Sequence, residues 1–176
     1  TRSAHDWLKG SPPIERIILK SEWALGDTVL LTAAVRDLAR AHPGRFDVRV
    51  RGSYRPVWTN NPYARFVDGE FAGRVVPIDY RPGIGASQRG YGRHFLTWFH
   101  EVLKRQLGVD VPVTRPAGEL FFSAAERPRA VDGRYWVVVA GGKIDMTAKW
   151  WPTARYQAVV DLLRAAGVHC VQAGAH

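Results

Sequence analysis

The feature that most constrains the fold is a strand, loop, helix, strand succession over residues 14–51. Ile14 to Leu19 is a short apolar run in which β-branched residues dominate, and it reads as a buried strand. Gly26-Asp27 follows. Thr28 to Ala41 then sets Val29, Leu30, Ala33, Ala34, Val35 and Leu38 at three- and four-residue steps, one apolar helical face. Pro43-Gly44 stops that helix, and Phe46 to Arg51 alternates apolar and charged residues as a second strand. A crossover of this kind is right-handed, so the two strands are expected to run parallel.

The middle of the chain is less regular. Pro56 to Asn60 reads as a short helix closed by Asn61-Pro62, and Arg74 to Ile78 as a strand. Tyr80 to Gly92, rich in glycine and proline, reads as an exposed loop. Arg93 to Leu107 reads as an amphipathic helix with Gly108 as its C-cap, and Leu120 to Phe122 as a brief strand. Ala124 to Gly133 has the polar character of a linker. Beyond it the pattern restarts. Tyr135 to Ala140 is a continuous apolar run, Gly141-Gly142 a tight turn, Pro152 to Ala166 a helix ended by Gly167, and Val168 to Gln172 a further strand. The expected fold is therefore α/β. A Rossmann-like parallel-sheet domain spans residues 14–132, and the first βαβ of a second Rossmann-like domain spans 133–176. That second piece is too small to hold a core alone. Val137 to Val139 and the Trp150-Trp151 pair are accordingly expected to be buried against the first domain or a neighbouring chain.

Composition narrows the function classes. With 46% hydrophobic and 23% charged residues, a sizeable core is expected and wholesale disorder is not. No apolar run reaches the length of a membrane-spanning helix, and residues 1–13 lack a signal-peptide core. The first residue is Thr rather than Met, as in a processed or cut chain. Cys170 is the single cysteine, which excludes an internal disulfide and fits a reducing, cytoplasmic setting. The net charge of +9 favours anionic partners: nucleic acid, anionic lipid or phosphorylated sugars. The arginines are dispersed and no dedicated nucleic-acid motif is present, which leaves a basic nucleic-acid-binding domain as an alternative only.

Two segments have the residue types that chemistry needs. The first is Trp23-Ala24-Leu25-Gly26-Asp27, between a buried strand and a helix N-terminus, where ligands of open parallel sheets bind. Gly26 permits close backbone approach there. Asp27 can accept the proton of an attacking hydroxyl, or it can be the helix N-cap. The second runs from Gly141, Gly142 and Lys143 through Thr147 and Lys149 to a helix opening at Pro152. Free helix amides and lysines suit a phosphate, while an ordinary strand-to-helix turn with solvated lysines has the same composition. The spacing does not match the Gly-x-x-x-x-Gly-Lys-Ser/Thr phosphate loop. The histidines show no paired metal-ligand spacing, no Asp-x-Asp pair exists to hold a divalent ion, and no Gly-x-Ser-x-Gly elbow occurs. Tyr63, Tyr80, Tyr91 and Arg81 fall in expected loops, where they can line a sugar site.

Together the two segments resemble a known family. Ile17-Ile18-Leu19 leading to Ala24-Leu25-Gly26-Asp27-Thr28-Val29-Leu30-Leu31-Thr32 is similar to the opening of glycosyltransferase family 9, which includes ADP-heptose:lipopolysaccharide heptosyltransferases. The similarity continues at Ala34, Leu38, His42-Pro43-Gly44 and Asn60-Asn61-Pro62-Tyr63. It resumes at Val137-Val138-Val139, the glycine turn, Thr147 to Pro152, and Tyr156 to Gly167. The resemblance implies a GT-B architecture, with an N-terminal acceptor domain and a C-terminal nucleotide-sugar domain. It implies inverting, metal-independent transfer of a heptose-like sugar from a nucleotide diphosphate sugar to an anionic glycan of lipopolysaccharide type. No cofactor beyond that donor is implied. Asp27 then corresponds to the general base, and Gly141, Gly142, Lys143, Thr147 and Lys149 to the donor-phosphate site. Gly26, Arg55 and Asn61 correspond to the acceptor side, and there is no metal ligand. The setting implied is cytoplasmic, with peripheral contact to an anionic membrane. Gly141-Gly142-Lys143 departs from the Pro-Gly-small turn of many family members. The chain also ends at His176, before a full nucleotide domain. A catalytically incomplete member acting as a binding module is the corresponding alternative.

Overall fold

A computed structural model of the chain describes residues 13–88, 92–126, 131–140 and 151–174. The structure divides into two units, Thr1–Glu126 and Arg127–His176. In the first, β1 (Glu15–Ser21) is followed by α1 (Leu25–Ala41) and β2 (Phe46–Gly52). A 3₁₀ turn covers Arg55–Trp58, and then come β3 (Arg65–Phe66), β4 (Arg74–Pro77), α2 (Arg81–Gln88) and α3 (Thr97–Leu107). The four strands form one parallel sheet in the order β3-β2-β1-β4. In the second unit β5 (Tyr135–Val138) and β6 (His169–Gln172) pair in parallel, and α4 (Thr153–Ala165) lies between them in sequence.

Strand position explains the sequence pattern. β1 has a hydrogen-bonded neighbour on each side, and its Ile17, Ile18 and Leu19 are all shut from solvent, as an interior parallel strand requires. In β2 only Val48 and Val50 are buried, so the apolar–charged alternation maps onto the two faces of the sheet. Leu31, Ala34, Val35 and Leu38 of α1 join Ile17, Leu19, Val48, Val50 and, from α3, Phe99, Val102 and Leu103 in one core. Each fully buried aliphatic side chain there contributes about 1.5–3 kcal/mol.

The core carries a charged seam. Arg36 and Asp37, neighbours on α1, are both fully buried. The Arg36 guanidinium donates to Asp37 through Nε and Nη2, and to the carbonyls of Arg115 and Ala117. It also forms an ion pair with Glu119 at 3.2 Å. Asp37 further accepts from His100 Nε2 of α3 at 2.9 Å, and from the amide and hydroxyl of Thr114. Burial alone would raise the Asp37 carboxyl. The hydrogen bonds from Arg36, Thr114 and His100 outweigh it and hold the group at about 2.

Several expectations need correction. α1 starts at Leu25, so Gly26 and Asp27 lie inside its first turn rather than in a loop. Residues 81–88 are helical, where a glycine- and proline-rich loop was expected: Pro82 falls in the first turn, where its missing N–H costs nothing. Gly83 lies so close to the Trp98 ring that a Cβ would sit 2.1 Å from it. α3 begins at Thr97, four residues after Arg93, because residues 94–99 first form tight turns (Thr97 N–H to His94 O, Trp98 N–H to Phe95 O). His94 therefore does not share a helix with His100. Leu120 to Phe122 is not a strand, and β3 was not expected at all. In the second unit Trp136, Val137 and Val139 are 55–61% exposed, so the unit's own strands and helix do not supply the burial expected of Val137 to Val139. Two strands and one helix are too few to close a core on themselves. Trp151 is half-exposed, edge-on to Tyr156, and Trp150 lies outside the described residues.

Asp37→Asn leaves Arg36 and His100 without their anionic partner and is expected to cost roughly 3 kcal/mol or more in a urea melt near neutral pH. The depressed Asp37 carboxyl stabilises the fold above its unfolded value near 4. That contribution, about 2 kcal/mol, is lost as pH falls from about 4 to about 2. Wild type should therefore lose more stability over this window than Asp37→Asn does.

Candidate functional site

Strand order decides where a ligand can enter. From β1 the chain moves outward to β2 and β3, then returns to place β4 on the other side of β1. The crevice beyond the carboxyl ends of β1 and β4 is therefore the topological switch point, the usual ligand site of an open parallel sheet. Two short segments line it: Trp23 to Asp27 after β1, and Ile78 to Arg81 after β4.

These segments are tied together by side chains. The Tyr80 hydroxyl donates to Asp27 Oδ2 at 2.7 Å, and the Trp23 indole N–H donates to the Ile78 carbonyl. Tyr80 is buried, its ring centroid 4.6 Å from Trp23, 4.7 Å from Phe95 and 5.1 Å from Phe99. Burial first, then its hydrogen bond to Asp27 and the Asp27 charge, push the Tyr80 phenol far above its ordinary range, so it stays a donor at neutral pH.

The helix-cap reading of Asp27 does not hold. The N-cap of α1 is Ala24, with no side-chain cap bond, and Asp27 sits in the first turn with its carboxylate turned to Tyr80. An acid there suits the positive end of the helix dipole. Among the described residues no cation pairs with Asp27, and Oδ1 accepts no hydrogen bond. The nearby acid Asp79 differs. Both its oxygens receive the Arg81 guanidinium, at 2.9 and 2.7 Å, and this pairing holds its carboxyl down at about 2. Asp79 is thus occupied, while Asp27 is partly buried and, among the described residues, has one oxygen without a hydrogen bond. A Cβ at Gly26 would meet nothing within 4 Å, so a side chain there would clash with no neighbour.

The remaining acceptor-side candidates are placed elsewhere. Arg55, just past β2, bonds Asp68 at 2.7 Å in a largely exposed pair, worth at most about 1 kcal/mol. Asn61 is buried in the turn before β3, where its side-chain oxygen accepts the amides of Tyr63 and Ala64. Among the described residues neither has a hydrogen bond to the Asp27 cluster. Gly141, Gly142, Lys143, Thr147 and Lys149 lie outside the described residues. What frames them is described: β5 ends at Val138, and α4 opens at Thr153 with Pro152 as its N-cap. A hollow of about 640 Å³ between Gly133–Trp136 and Gly167–Val168 opens at the amino ends of β5 and β6, the wrong end for a Rossmann ligand. Among the described residues no group of three or more His, Cys, Asp or Glu could hold a metal ion, and no helix is long and apolar enough to cross a membrane.

Sequence reading missed Tyr80 as the partner of Asp27. The signal was present: Asp79-Tyr80-Arg81 directly follows a strand, so the strand-end rule that singled out Asp27 applies equally to them.

No family model and no curated protein matches this chain. Solved structures do. The E. coli heptosyltransferase WaaC with ADP aligns at a TM-score of 0.62 and 16% identity, over 92% of this chain and 68% of that one. The glycosyl transferase family 9 structure from Veillonella parvula aligns at 0.59 and 17%, over 90% and 62%. The iron-containing dodecameric glycosyltransferase TibC from enterotoxigenic E. coli aligns at 0.59 and 14%, over 90% and 41%. The fold is that of the family 9 glycosyltransferases. At these identities the likeness establishes architecture, an α/β chain of the GT-B kind, and it spans only part of each neighbour.

Removing the Asp27 charge should make the Tyr80 phenol easier to ionise. In Asp27→Asn the Tyr80 Cζ resonance is expected to titrate at lower pH than in wild type, yet still above a free tyrosine because burial persists. An unchanged midpoint would show that the two side chains do not meet in solution.

Proposed function

We propose that this chain is the acceptor half and the start of the donor half of a glycosyltransferase that moves a heptose-like sugar from a nucleotide diphosphate sugar to an anionic glycan. The observation that carries the reading is Asp27: a partly buried carboxylate with no cation partner among the described residues, on the first turn of α1, at the switch point of a family 9 fold. In the reaction Asp27 takes the proton from an acceptor hydroxyl. The acceptor oxygen bonds to the anomeric carbon from the face opposite the leaving group, and the bond from that carbon to the diphosphate oxygen breaks. The configuration inverts and nucleoside diphosphate departs.

Lys149 and Thr147, with Lys143 and the Gly141-Gly142 turn, are the residues assigned to the leaving diphosphate, where positive charge and hydrogen bonds stabilise the charge that develops. ADP, bound in the WaaC structure, and ADP-D-beta-D-heptose, bound in a TibC structure, are the donor chemistry first to be tried. Metal-independent transfer is supported by the lack of an Asp-x-Asp pair in the sequence. The net charge of +9 supports a phosphorylated acceptor of lipopolysaccharide type and contact with an anionic membrane on the cytoplasmic side. Arg55, despite its exposed pairing with Asp68, can exchange that partner for an acceptor phosphate at small cost.

Two measurements test this. Asp27→Asn should lower turnover about 10²-fold or more in a transfer assay with ADP-heptose, with donor binding nearly unchanged. Near-normal turnover would remove Asp27 as the base. Lys149→Ala should weaken nucleoside diphosphate binding by calorimetry and slow transfer together, because the same charge holds the donor and meets the leaving group. Equal affinities would leave the turn as scaffold. A chain that binds donor but transfers nothing, with and without added divalent metal, would fit the binding-module alternative.

A further inference from the structure

We infer that Tyr80 is the positioning residue for Asp27, holding the carboxylate so that Oδ2 is bound inward and Oδ1 is presented to the acceptor hydroxyl. The inference rests on the reading of Asp27 as the base, but its structural half can be tested without catalysis.

An aspartate in the first turn of a helix is free to swing between rotamers, and it can turn back onto the helix's own unpaired amides. Here no such cap bond forms. The carboxylate instead meets a phenol whose buried ring is packed against Trp23, Phe95 and Phe99. Trp23 is itself pinned by its indole N–H on the Ile78 carbonyl, which fixes the β1 end against the β4 end. A rigid donor on one strand end thus sets the rotamer of a carboxylate on the other.

The chemistry follows from this division of labour. The hydroxyl hydrogen of Tyr80 remains on Tyr80 throughout, and the acceptor's proton passes to Oδ1 of Asp27. Tyr80 touches neither substrate nor reacting atoms in this scheme. It shortens the search of the carboxylate for a productive orientation, an effect expected in turnover and not in substrate binding. By contrast, Asp79 has no such role, since Arg81 takes both its oxygens.

Tyr80→Phe retains the ring and removes only the hydroxyl. By NMR, the couplings across the Asp27 Cα–Cβ bond should report a single rotamer in wild type and averaging in Tyr80→Phe, at a melting temperature within a few degrees of wild type. Unchanged couplings overturn the proposal whatever the assay shows. In the transfer assay, Tyr80→Phe should lower kcat about tenfold with KM for donor and acceptor within about twofold. In the Asp27→Asn background the same substitution should have no further effect. An equal tenfold loss there would mean Tyr80 acts through packing, and would overturn the proposal. Full turnover in Asp27→Asn alone would instead sink the base reading, leaving the rotamer result to stand as a structural fact. Tyr80→Leu, which also removes the ring, should lower stability as well, and a kcat loss found only in that variant would count against the hydroxyl.

Discussion

The interaction on which the rest of the first unit depends is the buried contact of Arg36, Asp37 and His100. Two charges fully removed from water cost several kcal/mol each unless their hydrogen bonds are satisfied. Satisfaction here requires α1, α3 and the 114–119 segment to be in one arrangement, because each supplies partners the others lack. The consequence reaches the crevice. Asp27 lies ten residues before Asp37 on α1, about 15 Å along the helix. Phe99, next to His100 on α3, packs on the ring of Tyr80. Fixing α1 against α3 therefore fixes the carboxylate relative to its phenol, from well outside the site.

The crevice illustrates how topology makes a site from unremarkable residues. Neither Asp27 nor Tyr80 belongs to a motif in which the two are spaced for contact, and they are 53 positions apart. They meet because β4 returns to the opposite side of β1, bringing two strand ends together with no strand between them. The same juxtaposition sorts the local acids. Asp79 has an arginine two residues away and is neutralised by it, whereas Asp27 has an uncharged donor and, among the described residues, no cation partner.

The second unit follows a different logic. Its parallel β5–β6 pair with α4 repeats the opening pattern of the first unit, and Gly167 at positive φ ends α4 as Gly108 ends α3. Yet Trp136, Val137 and Val139 are open to solvent. Local pattern suffices for strand, helix and turn, because these satisfy backbone hydrogen bonds within short stretches of chain. Burial is a property of layers, and one helix on two strands supplies too little apolar surface to exclude water from both faces.

The sequence by itself determined the elements whose information is local: β1 from its apolar run, α1 from its 3.6-residue period, β2 from alternation, the C-terminal glycines from helix ends, and a βαβ restart after residue 133. It also singled out Asp27, since a strand–glycine–acid–helix order is readable without knowing what lies opposite. Tertiary structure alone decided that 81–88 is helical, where Gly83 fits under Trp98 because it lacks a side chain. It alone decided that Tyr80, apparently a loop residue, is buried in an aromatic cluster, and that Arg36 and Asp37 turn inward. A charged pair on a helix reads as solvated surface until partners distant in sequence are brought to it. The reason is physical: propensity and periodicity act over a few residues, while the cost of burying a tyrosine hydroxyl or a carboxylate is met by groups 50 to 80 positions away.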